Sequence, residues 1–438
     1  MKGSSWSWTG PLSSLVKSSA WAVLPATGRL ILSARFGYLV PDFPTQTHVF
    51  FWREIQALRD MGEQVFLVST RKPSPLACRH DFALAATKET HYLYPPSAAS
   101  LLTWAAAGCP GLPQALGYLG ELGSSGTMHR FRQCGFLAVA IELVEWASRT
   151  RIDHVHGHSC ANSAHVLALA HRLGGPSFSL TLHGDLDAYG GDHRSKMKDA
   201  AFICAVGSHL VGQIRERANI TNALVTCMGV KTEELGKLGK DRSYVSGQLH
   251  VATVARLHPA KGHLHALAAV RRAHQSGLKI HYTIAGEGPH KDAILSKIHQ
   301  FGLENQVTLT GSLSETEVYQ LLSKVDAFLL PSTGLGEAWP VSVMEAMGAG
   351  LPVIASAIGA TPEMITPDRN GFLVSQGDEA ALFNKMMLLG ADLETRHRIG
   401  TAARRTARQR FDVSVTAGLL REAIQKAVTA DPKRRSIE

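Results

Sequence analysis

Several features that define common protein classes are missing from this sequence. The six cysteines are scattered, and no two of them form the Cys-x-x-Cys pair typical of zinc sites and redox motifs. No basic run interleaved with aromatic residues occurs, which argues against a nucleic-acid-binding stripe. The apolar segment Leu101–Leu119 is interrupted by Gly108, Pro110, Gly111 and Pro113, well short of the roughly 20 residues that a membrane-spanning helix needs. We therefore expect reduced thiols in a cytoplasmic protein, with no nucleic-acid partner and no spanning helix.

Acidic residues are fewer than basic ones, 36 against 45, and the net charge is +9. Most of the positive excess lies in the first half of the chain, which suits phosphorylated ligands or an anionic membrane surface. The interrupted apolar segment is in the same half. Together they predict a peripheral contact with the inner face of the cytoplasmic membrane.

A length of 438 residues suits two α/β domains better than one core. Short β-branched runs alternate with helix-period segments, as in parallel βαβ units, and the pattern restarts after a Lys-rich stretch at 231–248. The predicted architecture is two Rossmann-like, doubly wound domains facing a cleft. Its predicted parts are a flexible leader (1–28), an acceptor-side domain (29–243), a nucleotide-sugar-binding domain (244–410), and a C-terminal helix and tail (411–438) expected to pack on the first domain.

Strands are predicted where the β-branched runs occur. In the first half they are Leu30–Ser33, Val65–Thr70, His154–His156, Phe178–Leu182, Phe202–Val206 and Ala223–Cys227. In the second half they are His250–Val254, His281–Ala285, Val307–Thr310, Ala327–Leu330, Pro352–Ala355 and Gly371–Val374.

The most informative segment is 331–356, PSTGLGEAWPVSVMEAMGAGLPVIAS. It follows an apolar strand and opens a helix near Pro340, where free backbone N–H groups favour a phosphate. Glu337 precedes this helix and Glu345 lies within it, so the two carboxylates can serve different parts of one ligand. A surface acid followed by a packing acid is the alternative explanation.

A second loop, VARLHPAKG at 254–262, follows another predicted strand and carries Arg256 and Lys261. Two cations on one loop can stabilise the negative charge that develops on a departing diphosphate. Unrelated surface residues would give the same local pattern.

The Glu337–Glu345 segment resembles the E-x7-E element of the retaining GT-B glycosyltransferases, the group 1 family that includes exopolysaccharide and colanic-acid enzymes. This resemblance implies that Glu337 contacts the donor sugar and Glu345 the nucleotide ribose. It also implies that Arg256 and Lys261, which match an R-x4-K-G pattern, bind the diphosphate. The family usually has Gly after the first Glu, where this chain has Ala338.

Further donor-site residues follow from the same resemblance. The GEGP turn, with Gly286 and Gly288, is similar to the family's nucleotide-side turn, and LTGSL, with Ser312, to the loop that reads the base. The remaining predicted donor contacts flank the first glutamate: Ala338, Trp339 and Val341.

The first half contributes His183, which follows the strand SLTLHGD and resembles a family histidine beside the reacting centre. Thr45, Gln46 and Thr47 match the polar positions of an exopolysaccharide-branch stretch before an amphipathic helix at 48–61. With His158, they are the predicted acceptor-binding residues.

His154, His156 and His158 alternate along one strand and therefore share a face. They could line the acceptor site, serve a structural role, or form the metal site of a hydrolase. We predict no metal site, because no HExxH element accompanies them.

The predicted activity is sugar transfer with retention from a nucleotide-diphosphate-sugar, without cofactor or metal, to a saccharide or lipid-linked phosphorylated acceptor. Exopolysaccharide synthesis is the implied setting. The alternatives are the hydrolase and a catalytically silent GT-B partner subunit.

Overall fold

The structure is a computed structural model that describes residues 34–123, 127–238, 244–334 and 337–430. The predicted leader (1–28), the predicted strand Leu30–Ser33, residues 239–243 and the tail after residue 430 lie outside the described residues. The two sheets below belong to one unit that begins at Ala34.

Seven parallel strands form the first sheet, in the order β3-β2-β1-β4-β5-β6-β7. They are β1 (Arg35–Asp42), β2 (Gln64–Arg71), β3 (His91–Tyr92), β4 (His154–His158), β5 (Ser177–Leu182), β6 (Ile203–Ala205) and β7 (Ala223–Val225). The strand order reverses between β1 and β4, and this switch point is where doubly wound sheets bind ligands.

Nine helices lie in the described residues between positions 34 and 238, and the last of them packs against helices of the second domain. They are α1 (Val49–Asp60), α2 (Ala83–Glu89), α3 (Ala98–Ala106), α4 (Leu112–Glu121), α5 (Thr127–Thr150), α6 (Asn162–Arg172), α7 (His193–Met197), α8 (Ser208–Ala218) and α9 (Thr232–Leu238). The apolar segment Leu101–Leu119 thus falls within α3, α4 and the turn between them. Across the described ranges, no helix is both long enough and apolar enough to cross a membrane.

The second sheet has six parallel strands in the order β10-β9-β8-β11-β12-β13, so it repeats the topology of the first. The strands are β8 (Gln248–Val254), β9 (Lys279–Ala285), β10 (Val307–Gly311), β11 (Ala327–Leu330), β12 (Val353–Ser356) and β13 (Phe372–Val374). The helices are α10 (His263–Gln275), α11 (Lys291–Phe301), α12 (Glu315–Lys324), α13 (Val341–Gly348), α14 (Thr361–Met364), α15 (Glu379–Ala391), α16 (Leu393–Arg410) and α17 (Val413–Ala430).

The last helix, α17, packs against α1 and β4 of the first sheet. Its buried residues Leu420 and Ile424 share one apolar cluster with Phe51 and Ile55 of α1. The Arg421 side chain adds a 2.6 Å ion pair with the buried Glu63 carboxylate. The chain therefore returns to the first domain after completing the second, and α17 covers one face of its sheet.

Candidate active site

A cavity of about 570 Å³ lies between the two sheets and is lined by residues of both. Its second-domain walls come from segments that end strands β8, β9 and β11, and from the start of α13. The predicted residues that line it are Gln46, Thr47, His183, Arg256, Lys261, Gly286, Ser312, Glu337, Ala338, Trp339, Val341 and Glu345. Thr45, His158 and Gly288 are not part of the lining.

Glu337 is fixed by two partners from its own domain. Its Oε2 atom lies 2.6 Å from the Nζ of Lys261 and accepts a 2.6 Å hydrogen bond from the hydroxyl of Ser332. Only 8% of the Glu337 residue surface is exposed, so the carboxylate is buried against the cation. The two residues that the sequence placed on different loops, 76 positions apart, thus form one ion pair at the cavity.

Close backbone packing brings these loops together. Gly262, directly after Lys261, has φ +69°, and a Cβ atom there would lie 1.8 Å from the carbonyl oxygen of Pro331. Gly359 has φ +53°, and a Cβ atom there would lie 1.7 Å from the carbonyl oxygen of Glu337. A side chain at either position would push the Lys261 and Glu337 loops apart.

Arg256 also lines the cavity, but it is exposed and forms no ion pair with any described residue. A cation of this kind is available for a ligand anion. Gly288 packs closely against the backbone of the Arg256 loop, since a Cβ atom there would come within 2.3 Å of the Leu257 carbonyl oxygen. Gly288 therefore acts on the cavity through backbone packing, whereas Gly286 lines it directly.

Glu345, in contrast, is held by the other domain. Its Oε1 atom lies 2.5 Å from Nη2 of Arg53 on α1, and the Nε of Arg53 lies 2.7 Å from Glu315 at the start of α12. Burial lowers the pKa of Arg53, but the nearby Glu345 and Glu315 carboxylates outweigh it and hold that pKa above its usual value. The Nη1 atom of Arg53 is buried and has no hydrogen-bond partner in the described part of the chain.

Two further contacts cross the cleft beside this cluster. The amide of Gln46 donates a 2.9 Å hydrogen bond to the Leu313 carbonyl oxygen, and the Glu315 backbone N–H donates to Nδ1 of His80 at 3.1 Å. Gln46, predicted as an acceptor contact, is thus bonded to the loop that the sequence assigned to the base. Sequence analysis missed Arg53, His80 and Glu315; the available signal was a charged residue on the apolar face of α1.

The first-domain wall is built around His183. Its Nε2 lies 2.9 Å from Nδ1 of His158, which is buried one layer further from the cavity. Burial lowers the pKa of His183 to about 3, with the neighbouring His48 adding to the effect. His183 is therefore neutral at pH 7.

Behind His158 lies a buried carboxyl group. The Oε1 of Glu54 is 3.6 Å from Nε2 of His158 and accepts a 2.7 Å hydrogen bond from the Tyr38 hydroxyl. Burial raises the pKa of Glu54 to about 7, although the Tyr38 hydrogen bond opposes the shift.

The predicted alternation of the three histidines on β4 is present, and all three are buried. His154 and His156 are hydrogen-bonded to hydroxyls of the adjacent strand β5, from Ser177, Ser179 and Thr181, at 2.7–2.9 Å. Over the described ranges no group of three or more His, Cys, Asp or Glu side chains is arranged to hold a metal ion. The histidine stretch therefore gives the hydrolase alternative no support.

Ala338 and Trp339 occupy the corner between Glu337 and α13 and are each 6% exposed. The indole N–H of Trp339 donates to the Sδ of Met344 at 3.0 Å, which fixes the ring against the helix. The Ala338 methyl group is therefore part of the packed cavity wall.

The topology is that of the GT-B fold, two parallel-sheet α/β Rossmann-like domains. Solved structures share this fold. A glycosyltransferase from Rickettsia africae ESF-5 matches with a TM-score of 0.67 at 18% identity, over 91% of this chain and 100% of the other. Anabaena HepE in complex with UDP and glucose matches with a TM-score of 0.67 at 17% identity, over 89% and 99%.

At the level of sequence, residues 240–406 match the family model described as glycosyl transferases group 1. The putative colanic acid biosynthesis glycosyltransferase WcaL of Escherichia coli (strain K12) is 36% identical over 142 residues, 32% of this chain and 35% of the relative. The amylovoran biosynthesis glycosyltransferase AmsK of Erwinia amylovora is 32% identical over 206 residues, 46% of this chain and 50% of the relative. The matches thus span between about a third and a half of these curated relatives.

Proposed function

We propose that this chain is a glycosyltransferase that moves a sugar, with retention of anomeric configuration, from a nucleoside-diphosphate sugar to an acceptor hydroxyl. One observation carries the proposal. Glu337, paired with Lys261, and Glu345 line the same cavity as Arg256, a cation that forms no ion pair with the residues the structure describes. The family match over residues 240–406 and the UDP complex of the structural relative support the same class of donor.

In this proposal the charged second-domain wall binds the donor. Arg256 and Lys261 stabilise the negative charge that grows on the diphosphate as the glycosidic bond breaks. Glu337 positions the sugar and Glu345 the ribose. The departing phosphate accepts the proton of the acceptor hydroxyl on the same face, so the protein contributes positioning and charge stabilisation without a covalent intermediate or a metal ion.

The first-domain wall faces the reacting sugar. Because His183 is neutral, it adds no positive charge that would compete with Arg256 and Lys261 for the diphosphate. Its Nδ1 atom is buried and has no hydrogen-bond partner among the described residues. Thr47, at the cavity edge, is the remaining candidate for an acceptor contact, with Gln46 engaged across the cleft.

We further propose a saccharide or lipid-linked phosphorylated acceptor, in the synthesis of a cell-surface polysaccharide. The names of the WcaL and AmsK relatives support this setting. Exposed leucines on the first domain, among them Leu84, Leu102 and Leu116, support a peripheral membrane contact. Co-sedimentation with anionic vesicles at low salt tests it, and equal recovery with neutral vesicles would argue for an acceptor in solution.

The donor class is tested by measuring the unfolding temperature of the purified protein with UDP, GDP, ADP and CMP. A ligand at 100 times its Kd stabilises the folded state by about 2.7 kcal/mol. We expect one nucleoside diphosphate to give such a shift, and the matching nucleotide sugars then to be turned over slowly with water as acceptor. Binding without any turnover would instead support a catalytically silent subunit.

A further inference from the structure

Arg53 is placed unusually for a charged residue. It belongs to the first domain, on α1, yet its side chain is only 1% exposed and reaches the nucleotide end of the cavity. Its neighbour Arg59 on the same helix has an ordinary position, half-buried beside Glu89. A fully buried guanidinium persists only where carboxylates compensate its lost hydration.

The compensation comes from the other domain. Glu315 and Glu345 are both second-domain residues, and each places one oxygen within 2.7 Å of the Arg53 guanidinium. The contact engages Oε1 of Glu345 and leaves Oε2 without a hydrogen bond from any described residue. Glu345 is thus fixed by one oxygen and has the other to offer to a ligand.

We propose that Arg53 is a positioning residue of the nucleotide subsite: it orients the Glu345 carboxylate so that Oε2 accepts a hydrogen bond from a ribose hydroxyl. This inference rests on the proposed function and extends it to a residue of the opposite domain. A charge-assisted bond gains most when its acceptor is already oriented, because no side-chain entropy is then lost on binding.

The arrangement also links the nucleotide to cleft closure. Arg53 can hold Glu345 only while α1 lies against α12 and α13. Gln46 and His80 make their contacts to Leu313 and Glu315 at the same edge. A nucleotide that binds best to an oriented Glu345 therefore favours the closed arrangement over an open one.

The test is a double-mutant cycle on nucleotide affinity. Kd for the nucleoside diphosphate identified with the wild-type protein is measured by calorimetry for Arg53→Gln, Glu345→Gln and the double variant. We expect Arg53→Gln alone to weaken binding about tenfold. Because Arg53 acts through Glu345, the double variant should bind no more than about twofold more weakly than Glu345→Gln.

Arg59→Gln is the matched control, since it removes a cation from the same helix at a site away from the cavity. It should bind the nucleotide like the wild-type protein. Arg53→Lys keeps the charge but cannot bridge two carboxylates with one planar group, so it should recover only part of the affinity. This variant also keeps the test valid if Arg53→Gln does not fold.

Unchanged nucleotide affinity in Arg53→Gln would overturn the inference. So would a double variant whose fold-loss of affinity equals the product of the fold-losses of the two single variants. Tighter binding by Arg53→Gln would also overturn it, because Arg53 would then compete with the ribose for Glu345. A wild-type protein that binds no nucleoside diphosphate is a different result, since it would overturn the proposed function itself.

Discussion

The two walls of the cavity differ in how they carry charge. The first-domain wall is mostly neutral and aromatic: the half-buried His183 is uncharged, as is the buried His158 behind it, and Phe50 and Phe51 pack against the His183 ring. The second-domain wall is ionic, with Arg256, Lys261, Glu337 and Glu345. A diphosphate is complementary to the two cations of the second wall, and an uncharged sugar or acceptor hydroxyl is complementary to the first.

The charged residues also differ in whether their ion-pair partners lie in the same domain or in the other one. Arg53 is a charged residue of the first domain, and its partners are the second domain's Glu345 and Glu315. Glu337 is satisfied within its own domain by Lys261 and Ser332. Glu337, which we propose contacts the sugar, therefore has its partners whether or not the domains meet, whereas Glu345, proposed for the ribose, is held by Arg53 only when they do.

The largest expected effect comes from removing the cation of the ionic wall. Lys261→Ala should lower turnover about 10²- to 10³-fold, as the loss of one preorganised electrostatic contact does in other enzymes. Steady-state rates with the intact donor measure it. Lys237→Ala, which removes an exposed lysine beside Glu233 away from the cavity, is the control and should leave turnover within error of the wild type. Equal rates for both variants would remove Lys261 from the mechanism.

The buried histidines of β4 should make the protein sensitive to acid. Burial lowers the pKa of His156 well below its usual value, and the nearby His154 and His183 contribute. Native His156 therefore stays neutral while the unfolded chain binds a proton below about pH 6.5, so stability falls as pH falls. Acidification from pH 7.5 to 5.5 lowers the free energy of unfolding by about 1.4 kcal/mol for one such histidine.

The variant His156→Asn tests this by denaturant unfolding at both pH values. Its loss of stability on acidification should be smaller than that of the wild type by about 1.4 kcal/mol. The exposed His274→Asn is the control and should lose as much as the wild type. Glu54 has the opposite effect. With a pKa of about 7, the folded protein keeps a proton on this carboxyl that the unfolded chain loses above about pH 4.5, so the contribution of Glu54 to the free energy of unfolding falls as pH rises from about 4.5 to 7.

The smallest effect is expected at Ala338, where the resembling family usually has glycine. Ala338→Gly removes one buried methyl group from the ionic wall, worth about 0.8 kcal/mol. Turnover should therefore change by less than about fivefold. A gain of several orders of magnitude would mean that the methyl group blocks the donor and that the wild-type chain is close to silent.

Predictability from sequence also differed between regions. In the second domain each predicted strand matches an observed one to within two residues at either end, because the apolar, β-branched runs there are short and clearly bounded. For example, β8 was predicted as His250–Val254 and spans Gln248–Val254. In the first domain β1 (Arg35–Asp42) was missed, since Gly37 and Pro41 interrupt its apolar run. The two-residue β3 is too short to leave a pattern.

For the site, local motifs located the cavity lining of the second domain. They did not reveal which charges pair, because the Lys261–Glu337 and Arg53–Glu345 contacts join residues 76 and 292 positions apart. The first pairing depends on how two loops pack within the second domain, and the second on how the two domains meet; no single segment of the sequence encodes either. His158 was likewise placed on the acceptor side, but it lies behind His183.

The central claim is that the two glutamates serve different parts of one nucleotide-sugar, and calorimetry with the nucleoside diphosphate tests it most directly. Glu345→Gln should weaken diphosphate binding by about 1.5 to 3 kcal/mol, because it loses a charge-assisted bond to the ribose. Glu337→Gln should not weaken diphosphate binding, since its proposed ligand contact is the sugar, which the diphosphate lacks, and the loss of the Lys261 ion pair leaves that cation freer for the diphosphate. If Glu337→Gln weakened diphosphate binding as much as Glu345→Gln, the assignment of one carboxylate to the sugar and one to the ribose would be wrong.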